Sequence, residues 1–115
     1  MPESNDQFEL YDLEVEVVAG ETPMVCSHTV GDRFRVEGEN LKGFPESGFS
    51  MYALAALLPL LPAKQRVTDS NDWMDSDDLI ACPDPNCGGR FKITRLNKRP
   101  FKRADVTVTE RKDDG

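Results

Sequence analysis

Three features of the chain predict a small α+β domain: four or five mostly antiparallel strands packed on one apolar helix, with a metal site joining the strand loops. The first is strict alternation of apolar and polar residues in several short runs, which is the period of a half-buried strand. The second is a single apolar stretch of helical length. The third is a cysteine-bearing turn, Cys82-Pro83-Asp84-Pro85-Asn86-Cys87-Gly88-Gly89, which can be completed as a metal site only from a distant part of the chain. At 115 residues the chain fits one domain, near the size at which a metal staple adds useful stability. We read 8–111 as that domain, with flexible polar ends at 1–7 and 112–115.

From Leu13 to Val17 the chain places Leu13, Val15 and Val17 on one face and Glu14 and Glu16 on the other, a half-buried strand. Ala19 to Pro23 breaks it, and Met24 to His28 leads through Val30-Gly31-Asp32 into a second strand carrying Phe34 and Val36. Glu39 to Gly48 holds two glycines and a proline with little periodicity and reads as irregular. Phe49 to Leu61 is the predicted helix, apolar on nearly every side and so expected in the core, with Ser50 as N-cap. Pro59 ends or kinks it near Leu58. Gln65 to Asp78 reads as an acidic surface loop pinned by Trp73 and Met74, and Leu79 to Ala81 as a short strand running into Cys82. Two more strands are expected around Phe91 and Ile93 and around Val106 and Val108.

The net charge of −7 disfavours an overall electrostatic grip on nucleic acid or on an anionic membrane. The apolar run around Met51 to Ala63 is shorter than the roughly 20 residues of a membrane-spanning helix. The first residues lack the basic and apolar regions of a signal peptide, so we expect a cytoplasmic protein without a membrane. In such a reducing compartment, three cysteines argue against a disulfide framework and for a metal.

In the Cys82–Gly89 turn the prolines bar regular helix and the glycines follow the second cysteine, so two sulfurs point into one pocket. The remaining cysteine and the only histidine stand together at Cys26 and His28, in the loop between the first two strands. Cys26, His28, Cys82 and Cys87 thus form a tetrahedral ligand set, for zinc first and iron as the alternative. The acidic run Asp69 to Asp78 lacks the glycine and terminal glutamate of a calcium loop and reads as a solvated surface.

The turn resembles the Cys-Pro-x-Pro-x-Cys-Gly knuckles of in-between-RING and zinc-ribbon modules, in which backbone amides hold the thiolates for zinc. More broadly, His28-Thr29-Val30-Gly31-Asp32, the apolar Tyr52 to Pro59 segment and Cys82-Pro83-Asp84-Pro85 are similar to elements of a family of short uncharacterised bacterial and archaeal proteins. That resemblance implies fold and placement, and no mechanism.

These features favour a small zinc-binding accessory or protein-interaction module, as a minor subunit of a larger enzyme, with the metal structural and a larger protein as partner; they leave its oligomeric state undefined. A closed Cys3His site leaves no position for substrate and no second imidazole to move protons, which weighs against chemistry by the isolated chain. A rival reading is a small metalloenzyme with an open metal position. Another is a nucleic-acid-associated zinc module using the basic 90–103 segment, where Arg90, Lys92, Arg95, Lys98, Arg99, Lys102 and Arg103 stand without an acidic residue. The plainer expectation is a hairpin whose basic face pairs with acids elsewhere, Glu14 and Glu16 among them.

Overall fold

The structure, a computed structural model, describes residues 6–107. Its frame is a five-stranded antiparallel sheet: β1 (Gln7–Val18), β2 (Arg33–Glu37), β3 (Asn40–Lys42), β4 (Leu79–Ala81) and β5 (Arg90–Lys102), in the order β3-β2-β1-β5-β4. β1 is central and pairs with both β2 (Val15 opposite Phe34) and β5 (Val15 opposite Ile93). β1 takes in Gln7, which the sequence placed in the polar N-terminal end; residues 1–5 and 108–115, including the end expected at 112–115, lie outside the described residues.

The alternation in β1 and β2 behaves as expected. Leu13, Val15, Val17, Phe34 and Val36 are buried, joined by Phe91 and Ile93 from β5. The opposite face carries Glu14 and Glu16, which pair with Arg33 and Arg35 of β2 and not with the basic residues of β5. β3 lies in the segment read as irregular. A two-residue turn, Gly38-Glu39, returns the chain with Glu37 opposite Asn40, and its first position has φ of +63°, which glycine adopts without steric penalty.

Among the described residues four short helices, not one, accompany the sheet: α1 (Met51–Leu57), α2 (Leu61–Lys64), α3 (Trp73–Ser76) and α4 (Arg103–Val106). Ser50 caps α1 as expected, its Oγ accepting from the Ala53 N–H at 3.3 Å. The break at Pro59 yields the separate α2. α1 buries one face only, Ala53 and Leu57, while Met51, Tyr52 and Leu58 are exposed; being apolar all round did not put it inside. No helix among the described residues is long and apolar enough to cross a membrane.

β5 corrects a second expectation. It is one strand of 13 residues, and Val106 ends α4 instead of forming a further strand; Val108 lies outside the described residues. The polar stretch Leu96 to Pro100 stays extended because β1 pairs along it, Tyr11 opposite Lys98 and Glu9 opposite Pro100, with Phe8 stacked on Phe101 at 5.1 Å. Its basic residues find acids nearby: Arg95 meets Asp75 at 2.9 Å and Arg99 meets Asp12 at 2.6 Å.

Polar side chains hold the connection after α2. Trp73, read as an anchor, is exposed, and the loop is held instead by Lys64. The buried Lys64 ammonium donates to the carbonyls of Met74 and Asp77. Gln65 Nε2, also buried, donates to the carbonyl of Tyr11 at 3.2 Å and to that of Gly38. Among the described residues, no buried side-chain nitrogen or oxygen lacks a partner.

Asp12, at the register shift of β1, accepts from Arg99 through both oxygens and from the Gly38 N–H at 3.0 Å. The Arg99 guanidinium holds its carboxyl below the usual value. A lowered carboxylate stabilises the fold at pH above its ordinary range, and that contribution is lost as pH falls through the lowered folded value. Asp12→Asn is therefore expected to lower stability at neutral pH and to flatten its acid dependence, read by urea unfolding from neutral to acidic pH.

Candidate metal centre

The cysteine turn is the connection between β4 and β5. Inside it Asp84 takes the Asn86 N–H on its carboxylate at 2.9 Å and the Cys87 N–H on its carbonyl at 3.0 Å, which turns Cys87 back toward Cys82. Cys82 N–H in turn reaches the Gly89 carbonyl at 3.3 Å, at the mouth of the loop. The second loop, from β1 to β2, closes through Asp32, whose N–H donates to the Thr29 carbonyl and whose carboxylate accepts from the Thr29 N–H.

The two loops meet at Gly88. Its N–H donates to the Pro23 carbonyl at 2.9 Å, and a Cβ on Gly88 would run into the backbone carbonyl of Thr22. The glycine after Cys87 is thus needed for close approach of two backbones, not only for the turn. Gly88→Ala is expected to push the loops apart and weaken metal retention at least about tenfold, an effect of ~1.4 kcal/mol; competition against a chelator would measure it.

That approach brings three sulfurs together. The Sγ atoms of Cys26, Cys82 and Cys87 all lie within 4.8 Å of one another, and those of Cys26 and Cys87 are 3.5 Å apart. Zinc–sulfur bonds of about 2.3 Å in a tetrahedron place sulfurs roughly 3.8 Å apart, so one ion reaches all three with small side-chain movements. None of the three is in a disulfide. Cys87, the most buried, accepts from the Val25 N–H at 3.3 Å and the Gly89 N–H at 3.4 Å. These amides stabilise its thiolate and bring its pKa down to about 6. Burial pushes the Cys82 thiol up.

His28 stands beside this cluster. Its ring is buried, 4.4 Å from the Phe49 ring and 5.5 Å from Phe91, and burial lowers its pKa, favouring the neutral form. Nε2 accepts the Ser50 N–H at 2.9 Å. A neutral imidazole carries one proton, and a backbone N–H can only donate, so the proton sits on Nδ1. That atom is 3.8 Å from Cys26 Sγ. Of the four expected ligands, the structure brings three sulfurs together and sets His28 beside Cys26, outside that cluster.

Sequence reasoning missed the partners of these groups. The amides of Val25 and Gly89 leave no mark in a side-chain pattern, and Ser50 was readable only as the cap of α1. A concavity of about 450 Å³ opens beside the cysteines, lined by Cys26 and Cys82 together with His28, Tyr52, Ala53 and Asp84. Compared with models of known protein families, with curated proteins and with solved structures, the chain matches none.

Proposed function

We propose that this chain is a small metal-binding module in which Cys26, Cys82 and Cys87 hold one thiophilic divalent ion, zinc before iron. The observation that carries the reading is the convergence of three sulfurs from two loops far apart in sequence, with backbone amides aimed at the most buried of them. Soft thiolate donors select zinc or iron over magnesium or calcium. The ion would tie the β1–β2 loop to the β4–β5 loop across the end of the sheet, and its binding energy would be folding energy for both.

In that role the protein works by binding, as a cytoplasmic accessory or interaction module attached to a larger protein. The basic residues of the 90–103 segment favour this over nucleic-acid binding: Arg95 and Arg99 in β5 are engaged with Asp75 and Asp12, and Lys98 in β5 and Arg103 at the start of α4 lie near Glu9 and Asp6. The test is metal analysis of protein purified without added metal or chelator, together with affinity capture from the native cytosol. One equivalent of zinc or iron per chain and a single co-purifying larger protein are expected. Metal-free protein that fails to take up zinc stoichiometrically would overturn the reading.

A further inference from the structure

We infer that the bound metal takes its fourth ligand from solution, and that this ligand is a small neutral nitrogen or oxygen donor entering through the concavity beside Cys26 and Cys82. The inference rests on the three-cysteine metal reading. It follows from which groups remain to complete a tetrahedron. A divalent ion on three thiolates needs one more donor. His28 is the nitrogen ligand nearest the cysteines, yet it lies outside the cluster in which donor atoms come within 4.8 Å of one another, and its Nε2 is engaged by the Ser50 N–H at 2.9 Å. To ligate, it would have to give up that hydrogen bond or move toward the sulfurs. Among the described residues, the cluster of possible ligands contains the three cysteines and no carboxylate.

The concavity supplies access. At about 450 Å³ it falls within the range of small-molecule sites, and both Cys26 and Cys82 line it. Charge selects what enters. Three thiolates on a divalent ion leave a net charge of −1, and Asp84 lines the same space, so an anionic ligand would add a second like charge against a carboxylate. A neutral donor, water by default, adds none. Tyr52 and Ala53 on one side offer apolar contact to a ring or alkyl group carried by such a donor.

The full chain loaded with one equivalent of cobalt(II) reports this directly, because the thiolate charge-transfer band shows metal held by sulfur while the visible ligand-field bands respond to the fourth ligand. Titration with imidazole is expected to shift the ligand-field bands saturably with the charge-transfer band retained, and azide to act at least about tenfold more weakly. His28→Gln is expected to keep the imidazole response while weakening metal affinity about 10- to 100-fold, the usual effect of losing a partner that orients a ligand. A wild-type spectrum indifferent to imidazole overturns the inference, most clearly if His28→Gly then acquires a response, since His28 would be the missing ligand. Azide binding as tightly as imidazole overturns the preference for neutral donors. A chain that shows no charge-transfer band fails at the metal site itself, an outcome distinct from these.

Discussion

Cys87→Ser is expected to reduce metal affinity by more than about 100-fold, beyond what loss of an outer hydrogen-bond partner costs, and to bring the unfolding midpoint of metal-loaded protein down to that of the metal-free chain. Serine keeps the size of the side chain, so the change removes a ligand with little change in packing. Cys87 is the sharpest position for this test because it is the most buried of the three, and the Val25 and Gly89 amides already favour its thiolate. A hydroxyl there offers a poor donor to a thiophilic ion and leaves two sulfurs, too few to hold the ion tightly. Dialysis against a chelator followed by metal analysis checks the affinity, and thermal unfolding with and without zinc checks the coupling to the fold. Retention of full stoichiometry by Cys87→Ser would mean that the ion sits elsewhere.

The second large effect is expected at Leu57. Its side chain is fully buried on the inner face of α1, in one cluster with Val15, Phe34 and Phe91. Truncation to alanine leaves a cavity walled by strand residues that cannot collapse without disturbing the sheet, so Leu57→Ala should cost about 2–5 kcal/mol. Leu54 is only partly buried against the same cluster, and Leu54→Ala should cost clearly less. Urea unfolding of the two variants decides it. Equal losses would mean that α1 is covered on both faces in solution, and no loss at Leu57 would mean that the helix packs differently.

The strands that pack the core were legible because burial on one face writes itself as alternation: Leu13, Val15, Val17, Phe34, Val36, Phe91 and Ile93 all point inward as read. β3 and the outer half of β5 were not, since exposed strand pairs carry no such pattern. Leu96 to Pro100 is extended because β1 lies beside it, a tertiary cause that no local window contains. Apolar composition misled at α1, where one face suffices for burial and Met51 and Tyr52 remain at the surface, Tyr52 lining the concavity.

The cysteines could be read because metal chemistry restricts residue type, and three of the four proposed ligands do converge. His28 could not be assigned from sequence, because its role depends on which ring nitrogen the Ser50 amide occupies, a contact across 22 positions of chain. Lys64 and Gln65 were hidden for a similar reason. Both are residue types usually found at the surface, yet backbone carbonyls of other segments, Met74 in α3 and Gly38 in the β2–β3 turn, draw them inward.

X-ray absorption at the zinc edge, on the full chain loaded with one equivalent of zinc, tests the central claim most directly. Three sulfur neighbours at about 2.3 Å and one nitrogen or oxygen neighbour at about 2.0 Å are predicted. Fewer than three sulfurs around the ion, or failure of the chain to hold zinc at one equivalent, would contradict the account.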